Sequence, residues 1–196
     1  TVGDRNVAVG HQALLRANVA TNADTYNVAL GYNTGFNITS GVNNVIVGAL
    51  AGDELTDADE NVAIGYGALS TDTLGSASVA VGYLALQDQN LTTATDTFNT
   101  AVGYEAGKDI TTGVQNTLIG SRAGDALTSG NSNVVVGTNA LTSDTLGDRN
   151  VAIGHTALAT QNFTTTTDAY NVAVGYDAGG DITTGKQNTL IGGEAG

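Results

Sequence analysis

Gly10, Gly31, Gly48, Gly65, Gly82, Gly103, Gly120, Gly137, Gly154, Gly175 and Gly192 are separated by 21, 17, 17, 17, 21, 17, 17, 17, 21 and 17 residues. Such regularity restricts the chain to a stacked array of short units, because each unit can bury its apolar side only on its neighbours. One step of 21 and three of 17 make a superunit of 72 residues that restarts at Gly82 and Gly154. The reading is a single repeat domain over residues 1–196. The opening Thr1-Val2-Gly3-Asp4-Arg5 matches Thr145-Leu146-Gly147-Asp148-Arg149, and the chain stops at Gly196 partway through a unit, with no polar cap at either end. Solenoids need such caps, so the segment is expected to be an excerpt of a longer fibre protein.

Each unit opens Asn-x-x-x-Gly, as in Asn6-Val7-Ala8-Val9-Gly10 and Asn171-Val172-Ala173-Val174-Gly175. Short β-branched runs bounded by turn residues read as strands, and apolar residues do not recur at the three-and-four spacing of a helix. A 17-residue unit has ~56 Å of contour, enough for two or three short strands. The expected fold is all-β: a parallel β-solenoid, or β-roll, of 17- and 21-residue coils.

Within the strand the second and fourth positions are Val, Thr, Leu or Ile, and by the period-two rule they are expected to share the inside of the coil. The third position would then face outward. It is apolar throughout: Ala8, Ala29, Ile46, Ala63, Ala80, Ala101, Leu118, Val135, Ala152, Ala173 and Leu190. A strand apolar on both faces is covered on both, so this column is read as packing against other chains. Regular glycine placement signals positive φ or close strand approach, and the Asn at the head of ten of eleven units suggests a hydrogen-bonded ladder. Four residues after the repeat glycine, Leu14, Leu69, Leu86, Leu141 and Leu158 alternate in pairs with Gly52, Gly107, Gly124 and Gly179, which reads as layer-specific packing.

The net charge of −13, from 19 acidic and 6 basic residues, argues against nucleic-acid and direct membrane binding. No apolar run approaches the ~18–20 residues of a membrane span. With no cysteine, neither disulfides nor thiolate metal sites are available.

Runs such as Asn150-Val151-Ala152-Ile153-Gly154-His155-Thr156-Ala157 and Asn99-Thr100-Ala101-Val102-Gly103-Tyr104-Glu105-Ala106-Gly107 resemble the head repeats of trimeric autotransporter adhesins. They are still more similar to the repeats of phage tail fibres and bacterial fibre proteins that often end in a self-cleaving chaperone domain. The resemblance covers essentially the whole chain, and implies a left-handed parallel β-roll, three chains side by side, with the alanine column toward the three-fold axis. It also implies an extracellular location, on a virion tail fibre or a bacterial surface. The coils are longer than those of the autotransporter heads.

Polar residues that recur with the repeat are poor candidates for a unique catalytic constellation, and no enzyme activity is expected. His11 and His155 share a slot with Tyr83 and read as a tolerated aromatic position rather than metal ligands. Asp53, Glu54, Asp57, Asp59 and Glu60 could offer oxygen ligands to calcium, but their counterpart one superunit later is nearly uncharged, so a solvated acidic loop is favoured and no cofactor is expected. Tyr32, Tyr66, Tyr83, Tyr104 and Tyr176 suit either stacking on sugars or packing between coils, with packing favoured.

The longer coils should push loops outward, carrying Thr92, Thr93, Thr95 and Asp96 in one and Thr164, Thr165, Thr166, Thr167 and Asp168 in the next; host glycans or a surface receptor would be met there. Asn37, Asn90 and Asn162 fit the N-glycosylation pattern, as chance allows in a chain so rich in Asn and Thr. The expected function is a structural and adhesive shaft segment of a homotrimeric fibre. The alternatives are an ice- or surface-binding solenoid, which needs a flat threonine array, and a tailspike-type polysaccharide depolymerase, which needs a groove of carboxylates.

Overall fold

A computed structural model of the chain describes residues 5–18 and 23–196. It is a parallel β-solenoid, with no helix among the described residues. Eleven three-residue strands stack in chain order into one parallel sheet. We number the layers by these strands: Val7–Val9, Val28–Leu30, Val45–Val47, Val62–Ile64, Val79–Val81, Thr100–Val102, Thr117–Ile119, Val134–Val136, Val151–Ile153, Val172–Val174 and Thr189–Ile191. The register pairs equivalent positions, for example Ala29 with Ile46 and Ala152 with Ala173.

Only this strand is regular in every coil. The remainder is mainly turns, because non-glycine residues adopt the left-handed conformation at recurring corners, such as Asn33, Leu69 and Phe98. Backbone amides still bond from coil to coil through these turns, as from Leu14 N to the Thr34 carbonyl at 3.0 Å and from Leu69 N to that of Ala85 at 3.0 Å. The backbone is thus satisfied without the second and third strands that contour length allowed. Two-residue ladders join the longer coils to the coil before: Gly75–Ser76 with Thr95–Asp96, and Gly147–Asp148 with Thr167–Asp168.

The repeat glycines adopt positive φ, +135° at Gly120, and stack backbone on backbone. A Cβ at Gly120 would lie 2.6 Å from the Gly137 carbonyl oxygen, so no side chain fits. Beside this column runs the asparagine ladder. The Asn44 side-chain oxygen accepts from Asn61 N at 2.9 Å, while its amide donates to Asn27 Oδ1 at 3.1 Å and to the Ala58 carbonyl at 2.7 Å. Ser78 breaks the ladder, and there the side chain of Gln89 enters, donating to Ser78 Oγ and accepting from Asn99 Nδ2.

The ladder decides which way the strand faces. Asn27, Asn44, Asn61 and their successors to Asn171 are buried, so the first position points inward, the second outward, the third inward and the fourth outward. This overturns the expected facing of the strand. Ala29, Ile46, Ala63, Ala80, Ala101, Leu118, Val135, Ala152 and Ala173 are fully buried within one chain and form its core. Ala8 and Leu190 occupy the same inward column in the two end layers of the stack, where they are less covered. The nine buried residues are therefore not open to another chain; most are alanine because the coil is narrow and leucine or isoleucine side chains reach them from the opposite wall.

That wall explains the alternating sizes. Where a unit has leucine at its ninth position (Leu69, Leu86, Leu141, Leu158), the leucine fills the coil and the residue three later is polar: Asp72, Gln89, Asp144, Gln161. Where the ninth position is glycine, the later residue is Ile38, Leu55, Ile110 or Leu127 and supplies the bulk instead. Glycine coils come in pairs, and between each pair the third strand position enlarges to close the gap: a Cβ on Gly52 would meet Ile46 Cδ1 at 3.3 Å, and one on Gly124 would meet Leu118 Cδ2 at 2.9 Å.

Candidate interaction face and outward loops

With the alanine column inside, the surface of the sheet is built from the second and fourth strand positions. Val45, Ile64, Val102, Ile119, Val134 and Ile153, each 36–40% exposed, belong to two columns that run the length of the stack, β-branched at every layer but Leu30 and without a charged residue. Corners bound the sheet on each side. The leading border is the last residue of the preceding unit: Arg5, Tyr26, Asn43, Glu60, Ala77, Phe98, Gln115, Ser132, Arg149, Tyr170 and Gln187. The trailing border follows the repeat glycine. At ~3.3 Å per residue and ~4.8 Å per layer the sheet measures ~20 by ~48 Å between its borders, and the uncharged strand columns within it ~10 by ~48 Å, or ~500 Å². Ordinary monomers rarely expose a contiguous apolar patch above a few hundred Å².

The apolar stripe expected from the sequence exists, but on the two columns that were assigned to the inside. On its leading border Tyr26, Phe98 and Tyr170 stand exposed at the 72-residue spacing of the superunit, a recurrence that the sequence reading did not single out. The signal for the facing lies in the asparagine. A polar residue able to bond neighbouring coils belongs inside, and that fixes the parity of every position after it.

The aromatic slot after the glycine is a packing ladder. Tyr66, Tyr83 and Tyr104 stack with centroids 5.5 and 5.3 Å apart, and His11 and His155 stack on Tyr32 and Tyr176 at 5.4 and 5.6 Å. Their ring faces are largely occupied by one another, which leaves edges and hydroxyls for outside contacts. Cations stack at the leading border: Arg5 over Tyr26 and Arg149 over Tyr170, at 5.6 and 5.7 Å.

The loops of the longer coils project as expected over part of their length. Thr92, Thr93, Asp96, Thr164, Thr165, Thr166 and Asp168 are exposed, whereas Thr95 is half buried. Thr167 corrects the expectation: it is buried, paired with Gly147 in the short ladder, and its hydroxyl donates to the Thr165 carbonyl at 2.8 Å. Asp168 is ion-paired with Arg149. The loop bases are anchored from below. Buried Asp72 accepts from Leu91 N and Gly75 N, each at 3.1 Å, and from Gln89 Nε2 at 2.5 Å; Asp144 repeats this with Phe163 N, Gly147 N and Gln161 Nε2.

The acidic loop at residues 53–60 is partly spent on hydrogen bonds. Asp57 accepts from Ser40 Oγ, Asp59 from Val42 N and Glu54 from Asn37 Nδ2. Asp53 differs: burial pushes its carboxyl up to about 6, with Glu54 adding to the effect, and its Oδ1 has no hydrogen-bond partner among the described residues. The equivalent Asp125 accepts from Thr142 Oγ1 at 2.6 Å. Among the described residues no group of three or more His, Asp or Glu side chains gathers within reach of one metal ion.

Fold and surface define a parallel β-solenoid with a charge-free apolar sheet face. No family model matches the chain, and neither a curated protein nor a solved structure does.

Proposed function

We propose that the chain is a structural shaft segment of an extracellular fibre, a phage tail fibre or bacterial surface adhesin, assembled as a homotrimer through its sheet face. The observation that carries this reading is the pair of outward, partly exposed strand columns, charge-free over eleven layers in a chain of net charge −13. Contact through these columns places no like charges directly against one another. The role is mechanical: a stiff stack that spaces an attachment element from a surface and presents the loops around residues 92–96 and 164–168 to glycans or a receptor.

Sedimentation of the purified chain tests the assembly. A mass of three chains is expected, and the double variant Val81→Asp/Val136→Asp should sediment as a folded monomer, because unpaired carboxylates cannot be buried in an apolar contact. A wild-type chain that is a stable soluble monomer defeats the reading.

A further inference from the structure

At two places on the leading border an arginine is held by the coil that follows it. Arg5 lies over the Tyr26 ring at 5.6 Å and donates to Asp24 Oδ2 at 2.5 Å and to the Tyr26 hydroxyl at 2.6 Å. Arg149, two superunits on, lies over the Tyr170 ring at 5.7 Å and is ion-paired with Asp168.

The superunit between them repeats the receptacle without its guanidinium. Ala77 stands in the place of Arg5 and Arg149, whereas Phe98 and Asp96 keep the ring and the carboxylate. The backbone is the same: φ is 57° at Ala77 and 59° at Arg149, 51° at Phe98 and 52° at Tyr170. The short ladders agree in register, Ser76 with Asp96 and Asp148 with Asp168. Phe98 is accordingly 58% exposed, against 48% for both Tyr26 and Tyr170. Asp96 is exposed and makes no ion pair among the described residues.

The surrounding charge favours a cation there. One layer before Ala77 the border residue is Glu60, exposed and likewise without an ion pair among the described residues, where the layer before Arg149 has Ser132. A planar guanidinium suits the place better than an ammonium, since it stacks on a ring face while its edge donates to a carboxylate. The chain does not supply one. Arg16 lies over Phe36 at 4.9 Å and Arg122 donates to Glu105 at 2.9 Å, so with Arg5 and Arg149 all four arginines are engaged in neighbouring coils.

We propose that Phe98, Asp96 and Glu60 form a receptacle, on the leading border of layers 4–6, for the guanidinium of an arginine on a partner protein. Arg5 and Arg149 are its internal counterparts. The receptacle belongs to one chain and lies outside the two uncharged strand columns, so it stands apart from the assembly reading.

The probe is Nα-acetyl-arginine N-methylamide, titrated to about 0.2 M at constant ionic strength, with the uncharged citrulline analogue as control. Contacts this exposed hold a single residue with half-saturation at roughly 50 mM, read by NMR as a saturable movement of the Phe98 ring protons and the Asp96 amide. The Tyr26 and Tyr170 rings, already covered by the chain's own arginines, should not follow. Asp96→Asn should weaken binding about three-fold. Ala77→Arg, which restores the residue of the equivalent coils, should abolish it by filling the receptacle from within. No saturable movement in the wild type, equal response to arginine and citrulline, movement of Tyr26 and Tyr170 alongside Phe98, or saturation that survives Ala77→Arg each overturn the proposal. Sedimentation decides the assembly independently of all four.

Discussion

At the residue scale the repeat glycine is fixed by two constraints that substitution can separate. In Gly120→Ala a Cβ meets both the strained φ and the Gly137 carbonyl, whereas in Gly192→Ala nothing lies within 4 Å and only the strain remains. Gly120→Ala is expected to destabilise by about 3 kcal/mol or more and Gly192→Ala by about 1–2 kcal/mol, measured by denaturant unfolding. Asp53 makes a second residue-level prediction. Its folded pKa lies above the ordinary 3.8, so the folded chain binds the extra proton and stability falls as pH rises from about 4 to about 6, then levels off. Asp53→Asn should therefore raise the melting temperature at pH 7.5 and leave it nearly unchanged at pH 4; because the carboxyl is only partly buried, solvent screening limits the gain to about 1 kcal/mol.

At the scale of the coil, the unit is legible in sequence wherever one side chain has one job. Glycine spacing gives the coil length, Asn-x-x-x-Gly gives the strand, and the leucine–glycine alternation announces layer-specific packing. What could not be read from the strand alone is its facing, since Val-Ala-Val is apolar on both sides and period two is symmetric under exchange of faces. The turns hide for another reason: leucine and phenylalanine at left-handed corners carry no turn signature, and their conformation is imposed by coil-to-coil bonding. The loops were legible as insertions, but not Asp72 beneath them, whose carboxylate serves the distant Leu91 amide and Gln89 side chain as well as the nearby Gly75 amide. Asp72→Ala leaves the Leu91 and Gly75 amides and the Gln89 side chain without that acceptor, at a cost of about 2–4 kcal/mol. Hydrogen exchange at the Leu91 amide should accelerate in the variant, with the amides of layers 8–11 unchanged.

For the whole molecule, the distribution of charge sets how association responds to solvent. Contacts through an uncharged face between chains of net charge −13 are opposed by long-range repulsion alone, so raising salt from about 0.05 to about 0.5 M should tighten assembly. Sedimentation across that range checks the sign; weakening with salt would point to ion pairs across the contact. The size complementarity between layers reaches beyond the native state. Leucine coils and glycine coils each come in adjacent pairs, so a shift of one layer puts a leucine coil in a glycine place, or the reverse, in half of the layers, and the full order is restored only after displacement by four coils. The slippage that this order penalises least is therefore one of 72 residues, which must loop out a whole superunit, so the alternation of Leu69 and Leu86 with Gly107 and Gly124 biases the order in which coils wind.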